Sequence, residues 1–232
     1  MEIHNKLMQE IVAHSKEQSA LFTGADAPEL WVAWPETSFP GFPLDEGMLR
    51  GQLLDWTMSV PGLHLVGAYE SAETEFAGQQ TKLDFNITAL FHSSHGYVAH
   101  ARKMIRLPFG EYIPFDNYFP FLYDYLPQVN HFGKGLEPAP LAHPDSDGPV
   151  FIPAVCYEIL YEHFVDRYVA AAKKMYPGRS IVIINPTNDS WYGPTSEPFQ
   201  HSLLARWAAV RQGLPSFCLL YTSPSPRDAT LS

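Results

Sequence analysis

The sequence predicts an α/β domain with a layered sheet, and three observations carry that expectation. Short apolar runs at residues 30–34, 63–69, 83–91, 150–155 and 179–184 have the length and the β-branched or aromatic character of strands. Stretches of helical length and spacing alternate with them, at residues 2–20, 45–60, 161–175 and 198–212. Alternation of this kind packs helices onto the faces of a sheet. Finally, 232 residues with 46% hydrophobic content suffice for one large domain with a sizeable core.

Each element has a local justification. Ile3, Leu7 and Ile11, with Val12 beside them, recur at helical spacing and predict an amphipathic helix over 2–20. Leu30-Trp31-Val32-Ala33-Trp34 is a buried strand ended by Pro35, and Glu36 follows at once. Leu49, Leu53, Leu54 and Met58 mark the apolar positions of a helix over 45–60. A strand over 63–69 is followed by a polar stretch, 70–80, read as a turn. Residues 83–91 and 97–105 form a hairpin through Ser93-Ser94-His95-Gly96. Prolines and a glycine keep 107–114 irregular, and residues 115–149 form a long aromatic-rich connection with one short helix near 118–125. The apolar run 150–155 delivers Cys156, then Tyr157 and Glu158, and a helix over 161–175 follows. The strand over 179–184 opens into the polar loop 185–193, and the last helix spans 198–212.

Composition removes several function classes. Net charge is −10 with scattered cations, which excludes a nucleic-acid footprint. Two cysteines, Cys156 and Cys218, allow neither a disulfide framework nor a cysteine-rich zinc site. No apolar run reaches membrane-spanning length and the N-terminus lacks a secretion signal, so the chain reads as soluble. No metal is expected: HExxH and CxxC motifs are absent, and strand alternation predicts His92 and His95 on opposite faces. No phosphate-cradling glycine loop is present and no cofactor is expected. Asn86-Ile87-Thr88 matches a glycosylation sequon but falls within a predicted strand.

Glu36, Lys103 and Cys156 each sit at or near the end of a predicted strand. A thiol nucleophile needs a base, since a free thiol is only a few per cent ionised at neutral pH. A carboxylate alone raises the thiol pKa further; a lysine beside both reverses that effect and can stabilise an oxyanion. The three types together make chemical sense where each alone reads as core cysteine, loop carboxylate or solvated charge.

The motifs then resemble a known family. Trp34-Pro35-Glu36-Thr37, Lys103 with Pro108-Phe109-Gly110-Glu111-Tyr112-Ile113-Pro114, Cys156-Tyr157-Glu158, Asn188-Asp189-Ser190-Trp191-Tyr192-Gly193 and Pro198-Phe199-Gln200-His201 occur in the order of the nitrilase (carbon–nitrogen hydrolase) superfamily. Within it, the proline-rich run and Cys-Tyr-Glu look like the apolipoprotein N-acyltransferase family. The resemblance implies a four-layer αββα sandwich, here incomplete, and the catalytic triad Glu36, Lys103 and Cys156. Glu111 would be a second essential carboxylate, with Tyr157 and Glu158 as supporting or substrate positions. It implies a phospholipid acyl donor, an apolipoprotein acceptor, and an inner-membrane setting with the domain facing the periplasm. It also implies that membrane helices, a first core strand and C-terminal strands of the family are missing here, leaving the chain inactive by itself. Residues 1–217 are expected to be the catalytic domain, and 218–232 a non-native tail resembling translated adaptor sequence. Two other readings fit the same residues: a soluble amidase with the same triad, and a nitrilase-fold binding module without catalysis.

Overall fold

A computed structural model describes residues 2–21, 28–39, 41–189 and 195–220. Two four-stranded sheets form the frame. The first has the order β1-β2-β3-β4, with β1 Trp31–Ala33, β2 Leu63–Phe76, β3 Gln79–His92 and β4 Gly96–Arg102. The second has the order β5-β6-β7-β8, with β5 Leu141–Ala142, β6 Val150–Pro153, β7 Ile181–Thr187 and β8 Ser216–Leu220. The helices are α1 Glu2–Leu21, α2 Gly47–Met58, the single turn α3 Leu122–Tyr125, α4 Glu162–Met175 and α5 Glu197–Gln212. A 3₁₀ turn, Cys156–Leu160, follows β6.

Three separate apolar clusters show how the layers stack. Successive strand residues point to opposite faces, so each sheet feeds two cores. Val66 and Ala68 of β2 join Phe85, Ile87 and Phe91 of β3 and Leu53 of α2 in one cluster. Leu63 and Leu65 of β2 turn the other way and meet Phe151, Val182 and Ile184 of the second sheet. The alternate residues Val150, Ile152, Ile181 and Ile183 pack on Phe164, Val165 and Val169 of α4 and Ala205 and Ala208 of α5. Helix, sheet, sheet, helix is therefore the order of layers, as the sequence resemblance implies. Strands buried on both faces read as nearly continuous apolar runs, which is why 150–155 and 179–184 stood out.

β1 pairs parallel with β2 across α2, and β6, β7 and β8 are parallel neighbours joined by α4 and α5. β3 runs antiparallel to β2 and β4, so the C-terminal ends of β1, β4, β6 and β7 share one pole. Reactive groups of open α/β sheets gather at such an edge.

Three expectations need correction. The polar stretch 70–80 is not a turn: β2 and β3 pair without a break from Leu63↔His92 to Phe76↔Gln79. Only Ala77 and Gly78, both at positive φ (49° and 79°), make the hairpin turn. The stretch misleads because Ala72 and Phe76 pack inward while the residues between them are polar. Met58 is exposed rather than part of the α2 core, since α2 ends at that residue. His92 and His95 do not diverge; they flank the hairpin turn, and their Nδ1 atoms lie 3.0 Å apart. Ser216–Leu220 pair with β7 as the last described strand. The side chains of Ile3, Leu7 and Ile11 and the motif residues Ser190 to Gly193 lie outside the described set.

Candidate active site

The three strand-end residues converge. Glu36 follows β1, Lys103 follows β4 and Cys156 follows β6, and each is less than a tenth exposed. Lys103 Nζ donates to Glu36 Oε1 at 3.1 Å and to Glu111 Oε1 at 2.8 Å. Cys156 lies within electrostatic reach of both Glu36 and Lys103. Burial pulls the Lys103 ammonium towards neutrality, but the Glu36 and Glu111 carboxylates outweigh it and hold its pKa well above the usual lysine value. Lys103 is therefore a fixed positive charge.

Burial, and then the Glu36 carboxylate, pushes the Cys156 thiol up to about 12 against the pull of Lys103, the Thr187 hydroxyl and the Tyr157 backbone N–H. The resting group is a thiol beside a carboxylate, not a thiolate. Its backbone is unusual as well: Cys156 has φ +54°, a left-handed conformation that costs a non-glycine residue on the order of 1–3 kcal/mol. Asn185 of β7 holds the turn in that shape, its Nδ2 donating to the carbonyls of Ala154 (2.6 Å) and Cys156 (3.1 Å).

Both oxygens of Glu36 are committed. Oε1 accepts from Asn86 Nδ2 at 2.6 Å as well as from Lys103, and Oε2 accepts from the Asn188 backbone N–H at 3.0 Å. Gly67 makes room for this loop, because a Cβ there would stand 2.3 Å from the Pro35 carbonyl oxygen and 2.9 Å from Glu36 Cα. Glu111 Oε2 accepts the Leu107 backbone N–H at 2.8 Å, which ties the proline-rich loop to Lys103.

Glu158 faces the backbone rather than the side chains of Glu36, Lys103 and Cys156. It is 1% exposed and accepts the N–H groups of Met104, Ile105 and Val155. It thus clamps the segment after Lys103 to the one before Cys156. Burial pushes its carboxyl up to about 7, against those three donors and Lys103, which favour the charged form. A carboxyl raised in the folded state stabilises the fold fully below the unfolded value near 4.5, and that contribution is lost as pH rises through 7. Glu158→Gln should therefore flatten the dependence of melting temperature on pH between about 4.5 and 7, whatever it does to the melting temperature itself. A thermal melt series across that range reads the slope; an unchanged slope would exclude Glu158 as its source.

Tyr157 sits on the 3₁₀ turn with its ring 6.2 Å from that of His201. Sequence reasoning missed Asn86, Asn185, Thr187 and the Asn188 N–H. The available signal was polar residues at buried positions in apolar strands; Asn86 was visible only as a sequon, yet it is 4% exposed and bonded to Glu36.

Two groups among the described residues bring metal-type donors together, Glu29 with His92 and His143, and Asp189 with Glu197 and His201. In the first, the backbone N–H groups of Ser94 and Asp145 donate to Nδ1 of His92 and His143. Each Nε2 therefore keeps its proton and donates to Glu29. Ligation through Nε2 needs the opposite arrangement, with Nδ1 as donor. The group reads as a carboxylate clip between the two sheets, at the pole away from Cys156.

No family model matches the chain. Its sequence is 33% identical over 195 residues to the apolipoprotein N-acyltransferase of Bdellovibrio bacteriovorus, covering 79% of this chain and 33% of that protein. It is 32% identical over 213 residues to the apolipoprotein N-acyltransferase of Agrobacterium fabrum, covering 89% and 37%. The chain thus spans about a third of the length of the curated relatives it matches. Among solved structures, a mutant amidase from Nesterenkonia sp. AN1 with acrylamide added at its active-site cysteine superposes with a TM-score of 0.56 at 15% identity. That match covers 94% of this chain and 72% of the amidase. A second mutant of the amidase, described as from the nitrilase superfamily, gives 0.56 at 15%. The chain has the fold of the nitrilase superfamily and is related in sequence to the apolipoprotein N-acyltransferases.

Proposed function

We propose that this domain performs cysteine acyl transfer, moving a fatty acyl chain from a membrane phospholipid to the N-terminal amine of a diacylglyceryl apolipoprotein. The observation that carries the reading is the buried convergence of Glu36, Lys103 and Cys156, with Glu111 on the far side of the lysine. In the first half-reaction the Cys156 sulfur attacks the ester carbonyl while Glu36 takes the thiol proton. Lys103, permanently charged, offers an N–H to the oxyanion. The ester C–O bond breaks, the lysophospholipid oxygen takes the proton from Glu36, and a thioester remains. In the second half-reaction the acceptor amine attacks the thioester and gives a proton to Glu36. The C–S bond breaks, and the sulfur recovers the proton.

Two features favour a lipid donor over a small amide. The curated relatives are named acyltransferases. The connection after Pro114 also exposes Phe115, Tyr118, Phe119, Phe121 and Tyr125. It is hung on the Glu111 loop, with the Phe132 N–H on the Glu111 carbonyl (3.0 Å) and the Asn130 N–H on that of Gly110 (3.3 Å). An exposed aromatic patch beside a reaction site suits an acyl-chain or membrane surface. Among the described residues no helix is long and apolar enough to cross a membrane, so membrane attachment and a periplasmic orientation belong to the proposal. The amidase reading is favoured by the solved structures, which are amidases.

The two readings separate in one assay. The protein in its full-length form is incubated with diacylphospholipid in detergent micelles or with butyramide. The lipid reading expects transfer of a fatty acyl group to the amine of an S-diacylglyceryl cysteine peptide and no release of ammonia from butyramide. Ammonia release without peptide acylation would replace it with the amidase.

A further inference from the structure

The loop after β7 meets the site through the Asn188 backbone N–H, and a buried polar chain fixes it from behind. Asn188, whose N–H meets Glu36 Oε2 at 3.0 Å, lies between Thr187 and Asp189, both 0% exposed. Those two side chains are tied together, Thr187 Oγ1 donating to Asp189 Oδ1 at 2.7 Å. The same oxygen receives His201 Nδ1 of α5 at 3.2 Å, and His201 is 2% exposed. The Thr187 hydroxyl also reaches the Cys156 thiol. A fully buried carboxylate is costly unless it is hydrogen-bonded, and among the described residues the two donors to Asp189 Oδ1 belong to elements that frame the site.

We infer that Asp189 and His201 are positioning residues for this reaction: His201 holds Asp189, Asp189 holds Thr187, and the brace sets the Asn188 N–H against the second oxygen of Glu36. The inference rests on the reading of Glu36 as the base for Cys156. A carboxylate held through both oxygens keeps one fixed orientation towards the sulfur. With the N–H displaced, Glu36 keeps, among the described residues, its Oε1 partners Asn86 and Lys103, and can rotate about them. Misplacing a reacting group by about 1 Å can cost on the order of 100-fold in rate.

Three substitutions test the brace, read as the rate of Cys156 acylation by phospholipid, with kcat and KM measured separately. His201→Leu removes the donor at similar size. His201→Asn places an amide N–H close to where Nδ1 stood. Thr187→Val removes the hydroxyl from the middle of the chain and serves if the leucine variant does not fold. The other charged or titratable groups around Glu36 (Lys103, Glu111, Cys156 and Tyr69) and around the His201–Asp189 pair (Glu197 and Cys218) stay unchanged in all three.

His201→Leu and Thr187→Val should lower kcat about 10–100-fold with KM for phospholipid retained. His201→Asn should recover most of the rate. An asparagine variant as slow as the leucine one, or a loss in kcat that simply follows melting temperature across the three variants, would make the pair structural only. Glu36→Gln, run alongside, keeps the two ideas apart. If it acylates at the wild-type rate, the base reading itself fails; if it is inactive while His201→Leu is normal, only the brace fails.

Discussion

Replacing Lys103 with methionine should lower the rate of Cys156 acylation by about 100-fold or more, on the scale of losing one oxyanion donor. The variant should also lose stability. Lys103 is 3% exposed and is the cation between two carboxylates, Glu36 at 3.1 Å and Glu111 at 2.8 Å. Removing one partner from a buried ion pair leaves an uncompensated charge and costs about 3–5 kcal/mol. Turnover near normal in Lys103→Met would refute the oxyanion role. A stability loss with normal chemistry would make Lys103 a strut between two loops.

Substituting Cys156 with alanine should abolish both half-reactions without unfolding the protein. Alanine suffers from the left-handed backbone at 156 much as cysteine does, so the change in stability should be small. Glycine has no such penalty. Cys156→Gly should therefore be as inactive as the alanine variant but more stable than it, by about 1 kcal/mol. That ordering tests whether the turn stores strain in order to present the sulfur, held by Asn185 on the carbonyls either side. Thermal melts of the alanine and glycine variants, read beside their acylation rates, separate presentation from packing. Equal stability in the two would mean that the turn is relaxed as it stands.

The resting chemistry fits this division of labour. With burial and Glu36 pushing the thiol up to about 12, very little thiolate exists at neutral pH. The proton must leave during attack, which is the task proposed for Glu36. Lys103 cannot share it, because its neighbouring carboxylates keep it charged.

Much of this site was legible in the sequence because its main residues are chemical exceptions at strand ends. Cys156 closes an apolar run, Glu36 follows a strand-ending proline, and Lys103 follows the second arm of a hairpin. Their order along the chain, not the surroundings of any one of them, marked them as a set. The layer order also followed from pattern, since strands buried on both faces leave long apolar runs.

What escaped was set by three-dimensional contact or by backbone. Asn86 looks unremarkable in a strand until β3 places it beside Glu36 across the first sheet. The Asn188 N–H has no side-chain signature at all. The β2–β3 hairpin was cut short because Glu70, Ser71, Glu73 and Glu75 interrupt the apolar pattern, although pairing continues to Phe76↔Gln79. His92 and His95 meet because a turn, unlike a strand, does not alternate its side chains.

The central claim is that Cys156 carries the acyl group. Its most direct test is to incubate the protein in its full-length form with phospholipid labelled in one fatty acyl chain, quench in acid, digest, and map the label by mass spectrometry. The label should sit on the peptide containing Cys156, as a thioester released by neutral hydroxylamine, and should vanish in Cys156→Ala. Label on any other residue, or N-acylated acceptor formed at the normal rate by the alanine variant, would contradict the account.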